Sequence, residues 1–201
     1  MLLAAPMVQA HPVAFEGSIG IMGDHSEDLN HSQLNYSFRH WLAFGVHHFT
    51  RASLDDSHAT VATANLLLKR WNGKAYQGNL YALIGGGQSE LSGKSEGALF
   101  TAVQFDIEDR KYYFLTRHTR LAADDAEDLV MSQVRLGFAP YVGDFEDLHT
   151  WLILEYAHKE FRSNERAEDL TPFIRLFYSN VMIEIGQSFD GESKFRYIIH
   201  Y

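Results

Sequence analysis

The sequence contains no cysteine and only 4 prolines, and its 17 Lys and Arg residues are outnumbered by 26 Asp and Glu residues. Without cysteine there is neither a disulfide framework nor a thiolate site. The net charge of −9, with no basic stripe or tail, argues against nucleic-acid binding. No apolar run reaches the roughly 18 residues that a membrane-spanning helix needs. Disulfide-rich, nucleic-acid-binding and helical membrane proteins are therefore excluded.

Aromatic residues are abundant instead. The chain of 201 residues has 14 Phe, 10 Tyr and 3 Trp, yet its mean hydropathy is only −0.22. This aromatic content is too high for a disordered chain. The aromatic residues are spread along the chain rather than gathered in apolar clusters, and the length favours a single domain.

The first ten residues form a short apolar run that ends in Val8-Gln9-Ala10. Small residues at the last and third-last positions fit the cleavage rule of secretory signal peptides. We therefore expect residues 1–10 to be the remnant of a signal peptide, with a mature domain over residues 11–201. A frayed N-terminal segment is the alternative.

Apolar and polar residues alternate with a period of two through most of the chain. In the last segment, Phe195, Tyr197, Ile199 and Tyr201 share one face, opposite the face that holds Arg196. Such alternation predicts strands with one apolar and one polar face. The predicted strands cover 14–22, 33–39, 42–50, 59–70, 78–87, 97–107, 110–119, 129–138, 150–160, 170–178, 181–189 and 194–201.

The predicted connections alternate in length. Longer polar segments, such as 23–32 and 88–96, alternate with tight ones such as 40–41 and 179–180, and only segment 139–149 breaks the rule. Short turns at one end and long loops at the other are typical of transmembrane barrels. We therefore predict an all-β fold, a single up-and-down antiparallel transmembrane β-barrel of about 12 strands, with roughly eight to ten strands as the smaller alternative.

The C-terminal strand, with its apolar alternate positions and its terminal Tyr201, resembles that of Gram-negative outer-membrane β-barrel proteins. The resemblance implies a cell outer membrane location and periplasmic termini. It also implies contact with outer-membrane lipid and lipopolysaccharide, and with the barrel-assembly machinery during biogenesis, but it implies no oligomeric state. The segments 138–143 and 148–151 weakly resemble small barrels of metal-resistance systems. A soluble lipocalin-like barrel and a β-sandwich remain alternatives.

The polar face of the predicted strands carries charges of both signs. We expect these residues to point into the barrel, either as a structural ion-pair network or as a narrow polar passage for ions or small solutes. The charged residues assigned to this inward face are Glu16, Asp106, Glu155, Glu184, Arg39, Lys69, Arg135, Arg175 and Arg196.

Four of the 11 histidines stand out as candidate ligands for a divalent metal such as Zn, Cu or Ni. We expect His25 and His31 in the first long loop, and His58 beside Asp55-Asp56 in the second. His11 would become the free N-terminus after cleavage. Surface histidines that bind no metal are the alternative interpretation. We expect no other cofactor.

A barrel hydrolase of lipid or peptide is the alternative from another functional class. Its candidate residues are the pairs His25-Ser26 and His31-Ser32, and His58 with the acidic pairs at 55–56 and 124–125. The His and Ser partners are adjacent rather than spaced as in the known barrel lipases, and barrel proteases of the second kind are considerably longer than this chain. An enzyme is therefore the less favoured expectation. We expect a porin-like small channel or accessory envelope protein with a link to divalent metal handling, and a purely structural or adhesive barrel is a further alternative.

Overall fold

The computed structural model describes residues 11–51, 57–91, 93–123, 128–144, 146–161 and 166–201. Within these residues no helix is long and apolar enough to cross a membrane. The described chain forms strands β1 (Ile19–His25), β2 (Leu29–Arg39), β3 (Leu42–Arg51), β4 (His58–Asn72), β5 (Tyr76–Leu91), β6 (Lys94–Asp109), β7 (Tyr112–Ala123), β8 (Leu129–Phe138), β9 (His149–Phe161), β10 (Arg166–Tyr178), β11 (Val181–Gln187) and β12 (Ser193–His200).

The strands close into one antiparallel barrel. Each strand pairs with its neighbours in sequence, and β1 pairs with β12 through Gly20 opposite His200. Closure leaves no strand edge unpaired. The predicted up-and-down barrel of twelve strands is therefore confirmed, and the smaller barrel and the sandwich are wrong.

The two ends of the barrel differ. The end that holds Ile19 and His200, called here the termini end, has the turns 40–41, 73–75, 110–111 and 179–180 and the longer segment 139–148. The opposite end, called here the loop end, has shorter connections than predicted. Only 26–28 separate β1 from β2, and β5 and β6 run through most of the predicted loop 88–96. The residues there belong to strands and alternate between the two faces. Because many of them are polar, the sequence suggested a loop.

The outer face of the barrel is apolar around most of its height. Exposed residues include Leu34, Phe44, Val103, Ile174 and Ile185. Aromatic side chains are exposed at or beside the turns of the termini end and at the end of β12. These residues are Trp41, Trp71, Tyr76, Tyr112, Phe138, Tyr178 and Tyr201. An apolar band with an aromatic girdle is the surface expected of a barrel that crosses a lipid bilayer.

Toward the loop end the outer face of the barrel is polar and much of the inner face is apolar. The outward side chains there are polar: His48, Thr60, Gln88, His118, Arg120, His158 and Glu168. The inward ones form an apolar cluster that includes Phe49, Val61, Phe100, Leu121 and Leu129. The loop end therefore has an apolar interior along β3–β8 and lies beyond the apolar outer band.

Three of the predicted inward charges point elsewhere. β-Bulges shift the register between Ser37 and Arg39 and between Leu67 and Lys69, and a bulge changes which face the following residues occupy. Arg39 and Lys69 are exposed as a result. Glu16 lies before β1 and pairs with Arg39 on the surface at 2.7 Å. The inward assignment of Glu16, Arg39 and Lys69 is therefore wrong.

Candidate functional site: the barrel lumen

The segment before β1 folds back into the lumen from the termini end. The backbone amide of Gly17 donates to the carbonyl of Ser37 at 2.8 Å, and the amide of Ala14 donates to Ser37 Oγ at 3.0 Å. Val13 is completely buried. The carbonyl of Pro12 accepts a long hydrogen bond of 3.4 Å from Asn65 Nδ2. Residues 11–14 thus occupy the lumen.

His11 is the first described residue of this segment. Its ring centroid is 5.4 Å from that of Tyr81, and its Nδ1 is 3.6 Å from the Asp106 carboxylate. Asp106 also accepts hydrogen bonds from Asn79 and Gln104, at 2.8 and 3.0 Å. Burial lowers the pKa of His11 to about 4, although Asp106 acts in the opposite direction. The imidazole is therefore neutral at pH 7.

Five charged side chains meet in the middle of the lumen. Glu184 accepts hydrogen bonds from Arg135 and Arg175, each at 2.6 Å. Glu155 lies 3.0 Å from Arg135 and accepts a bond of 2.8 Å from Arg196. Both carboxylates are fully buried. We call Arg135, Arg175, Arg196, Glu155 and Glu184 the central charge cluster, and its inward placement confirms the sequence prediction for these five residues.

The central charge cluster links strands that are not adjacent. Arg135 on β8 reaches Glu184 on β11, and Arg196 on β12 reaches Glu155 on β9. Taking these ions out of water is unfavourable unless each one is paired and hydrogen-bonded. The mutual pairing meets this requirement and holds the wall β8–β12 together across the lumen.

Further ion pairs extend the cluster toward the loop end. Arg196 also contacts Asp24 at 2.8 Å, and Lys194 bonds to Asp169. Lys159 is buried, and its contacts with the described residues include 3.4 Å to Ser26 and 3.6 Å to Asp28. Charged groups of both signs therefore continue from the centre of the lumen to its loop-end mouth.

In the other direction the polar wall continues toward the termini end. The guanidinium of Arg175 lies 4.6 Å from the centre of the Tyr113 ring. Arg175 and Arg70 are close enough to His11 to lower its pKa further. A polar wall thus runs along β8–β12 from the loop-end mouth to Arg175, and nearer the termini end the buried side chains of Ile153 and Met182 interrupt it.

The lumen is closely filled in this conformation. A cavity lined by Asp24, His31, Glu155, Lys159 and Arg196 has a volume of about 20 Å³, which is room for about one water molecule. Tyr81 and Phe100, on the opposite wall, have no exposed surface. Among the described residues, these side chains leave little free space in this part of the lumen.

A histidine pair lies between the apolar cluster and the polar wall. The rings of His31 and His47 share a hydrogen bond of 3.0 Å, and the His31 ring stacks on Phe49 at 4.0 Å between centroids. His47 and His48 point to opposite faces, as the alternation of the strand predicts. The pairing of His31 with His47 was not predicted, because it joins two strands through the interior.

The four candidate metal ligands lie apart. His11 is in the lumen near the termini end, and His31 is in the lumen on β2. His25 is on the outer face beside Phe195 and Tyr197. His58 is exposed at the start of β4, 3.7 Å from Glu90. Among the residues that the structure describes, no group of three His, Asp or Glu side chains could hold a metal ion. Metal binding at any of the four stays a prediction.

The candidate hydrolase residues are also not assembled. His31 faces the lumen, whereas Ser32 is on the alternate face of β2. Ser26 Oγ bonds to the Leu29 carbonyl at 3.1 Å, and His25 Nδ1 bonds to Asn30 at 3.0 Å. The acidic pairs 55–56 and 124–125 lie outside the described residues. Neither histidine is therefore hydrogen-bonded to the serine that follows it.

Solved structures with the same architecture are outer-membrane proteins. The KdgM porin is 14% identical to this chain, with a TM-score of 0.50, and the match covers 92% of this chain and 98% of that one. An outer membrane channel from Pseudomonas putida F1 is 12% identical with a TM-score of 0.54, covering 100% of both chains. No protein-family model and no curated protein sequence matches the chain. The chain therefore has the fold of the outer-membrane β-barrel proteins.

Proposed function

We propose that the protein is a channel for small ions or solutes in the cell outer membrane of a Gram-negative bacterium, and that its lumen is closed in the present conformation. The observation that carries the proposal is the polar wall that runs along β8–β12 from the loop-end mouth to Arg175. A barrel that needed only stability could fill its lumen with apolar side chains, as this one does along β3–β8 toward the loop end. Buried ion pairs are often no more stabilising than apolar packing, so their presence calls for another role.

The structural neighbours support the same proposal. The KdgM porin has also been solved in complex with disordered oligogalacturonate, at 12% identity and a TM-score of 0.50 to this chain. The neighbour from Pseudomonas putida F1 is a channel by its description. The apolar outer band and the aromatic girdle at the termini end fit a bilayer, with the termini in the periplasm. Lipopolysaccharide would then surround the barrel on the loop-end side.

Opening requires side chains to move, and the N-terminal segment is the part most easily displaced. The described contacts of residues 11–12 with the wall include the long Asn65–Pro12 bond and the contacts of His11 with Asp106 and Tyr81. The barrel wall, in contrast, is held by complete strand ladders. Withdrawal of residues 11–14 would leave space beside the polar wall, while the strands stay in place.

Conductance across a planar bilayer tests the channel. We expect discrete openings from the purified protein, and we expect Lys159→Gln at the loop-end mouth to change the ratio of cation to anion permeability. Glu90→Gln is the matched control, because Glu90 is on the outer face. Equal permeability ratios in all three proteins would contradict a passage along this wall. Heat-modifiable migration on a gel confirms that each protein is folded.

A structural barrel without conductance is the second candidate. The small lumen cavity of about 20 Å³ favours it, because a filled interior stabilises a barrel but passes no solute. A flat current trace from a folded protein, including a variant in which the N-terminal segment is displaced, would support this second role and remove the first.

A further inference from the structure

The guanidinium group of Arg117 differs from those of the central charge cluster. Arg117 lies on β7, and its Nε donates to Thr119 Oγ1 at 3.2 Å. Its Nη2 is shielded from solvent and has no hydrogen-bond partner among the residues that the structure describes. No carboxylate in that part of the chain forms an ion pair with Arg117. Because a guanidinium group stays charged at physiological pH, this positive charge has no counter-charge of its own.

The carboxylates of the lumen near Arg117 are already paired with other cations. Asp24 is close enough to act electrostatically on Arg117, but its carboxylate contacts Arg196 at 2.8 Å. Together with Asp24, the two glutamates of the central charge cluster supply three negative charges for the three arginines of that cluster. Arg117 therefore adds a positive charge that this network does not balance.

A second unpaired polar atom lies near Arg117. His47 is completely buried on β3, and its Nδ1 shares a hydrogen bond with His31. Its Nε2 has no hydrogen-bond partner within the described part of the chain. Arg117 is close enough to act electrostatically on both histidines. In the tautomer with the proton on Nε2, His47 accepts from His31 through Nδ1 and donates through Nε2. Arg117 and His47 can then offer one donor each from two strands that are not adjacent.

The adjoining space has the size of a small ion. The cavity of about 20 Å³ is lined by His31 and Gln133, and Gln133 lies directly opposite Arg117 in the pairing of β7 with β8. A halide ion is only slightly larger than the one water molecule for which this cavity has room. The charged residues of its lining are Lys159, Lys194, Arg196, Asp24 and Glu155, three cations against two anions.

We infer that the lumen holds a small monovalent anion of the size of chloride between Arg117 and His47. A charged group that is withdrawn from water is unfavourable unless it is paired, and a small anion supplies the missing partner. Hydrogen bonds from a guanidinium to an anion are also stronger than those between neutral groups. The consequence for transport is a preference for anions over cations. This preference rests on the proposed channel function, whereas the anion site itself does not.

The route to the site from the loop-end mouth favours the same sign of charge. Lys159 and Lys194 are buried along this route, and both line the small cavity. Lys194 pairs with Asp169, and Lys159 lies 3.6 Å from Asp28. Cationic side chains in a narrow passage raise the local concentration of anions. An anion that enters from the loop end therefore meets lysine side chains before it reaches Arg117.

The line width of chloride in chlorine NMR tests the site on the purified barrel in detergent, because bound chloride that exchanges with the solution broadens this line. We expect broadening by the wild-type protein and at least about tenfold weaker chloride binding by Arg117→Gln, which loses a charged hydrogen-bond donor. The matched control is Arg120→Gln, which removes the same charge from the outer face of the same strand and should bind like the wild type. His47→Phe keeps a ring in the interior, removes the second donor and should also weaken binding.

Reversal potentials across a planar bilayer in a gradient of potassium chloride test the selectivity. We expect chloride to permeate more readily than potassium through the wild-type protein and through Arg120→Gln. The preference should be lost in Arg117→Gln. A wild-type channel that favours potassium would overturn the inferred preference for anions.

The two measurements separate the anion site from the channel. Equal chloride binding by the wild type, Arg117→Gln and His47→Phe would overturn the site, whether or not the protein conducts. Line broadening that Arg117→Gln abolishes, together with a flat current trace, would support the site and contradict the channel. Heat-modifiable migration shows that each variant is folded.

Discussion

Arg135 on β8 donates a hydrogen bond of 2.6 Å to Glu184 on β11, which joins two strands that are not neighbours in the sheet. Arg175 bonds to the same carboxylate from β10, also at 2.6 Å. One buried glutamate therefore pairs with guanidinium groups from two strands, and Glu155 is a second partner of Arg135. This relationship makes Glu184 both a stability determinant of the barrel and a part of the polar wall.

Glu184→Gln should destabilise the barrel strongly. Removal of one partner leaves the buried guanidinium groups without their counter-charge, and such losses typically reach about 3 to 5 kcal/mol. The free energy of unfolding in urea, followed by heat-modifiable migration, measures the effect. The control Glu90→Gln, on the outer face, should change it by less than about 0.5 kcal/mol. Equal unfolding curves for the two variants would show that the central charge cluster does not stabilise the fold.

Gly186→Ala should also destabilise the barrel, for a steric reason. The new Cβ would lie 2.5 Å from the ring of Phe173, and overpacking of this kind costs about 1 to 3 kcal/mol. Gly97→Ala is a suitable control, because a Cβ there meets nothing within 4 Å. If urea denaturation gives both variants the same midpoint, the wall at β11 has more room than the structure indicates.

The strand pattern of this chain could be predicted because it is local. In β12 the alternation of Phe195 and Tyr197 with Arg196 gives each residue its face, and the structure places all three accordingly. Glu155 and Glu184 were placed in the lumen by the same rule. We predicted a closed barrel from the even number of strands and from the alternation of short and long connections between them.

The errors arose where the structure depends on distant contacts. Arg39 and Lys69 follow β-bulges. The alternation of apolar and polar residues in the sequence does not show where a bulge inserts an extra residue. His25 and His31 were expected in a loop, because their acidic neighbours look like loop residues, but both lie in strands. The position of the N-terminal segment depends on contacts with Ser37 and Asn65 across the lumen, which local sequence cannot reveal.

A disulfide between Ala14→Cys and Ser37→Cys should hold the N-terminal segment in the lumen. The Ala14 amide is 3.0 Å from Ser37 Oγ, and the native chain has no cysteine that could compete. A disulfide typically stabilises the cross-linked conformation by about 2 to 4 kcal/mol. Because about 1.4 kcal/mol corresponds to a factor of ten, oxidation should reduce the frequency of channel openings in a planar bilayer at least about tenfold. Reduction should restore them. The two single-cysteine variants are the controls, and openings that are equally frequent after oxidation would show that this segment does not close the channel.

Acidification should release the N-terminal segment through His11. Burial lowers the pKa of His11 to about 4, against 6.5 for the free imidazole, despite the opposing charge of Asp106. The groups that face it are Asp106 and Tyr81, with Arg70, Arg175 and His200 farther away.

The displaced segment takes up a proton below pH 6.5, whereas the buried one does so only near pH 4, so docking weakens as the pH falls through this window. At pH 5 the expected loss is about 2 kcal/mol. A spin label on Ala14→Cys should become more mobile when the pH is lowered from 7 to 5. The same label in a His11→Gln background should show no such change, and a label that is equally mobile at both pH values in the native background would rule out His11 as the group responsible.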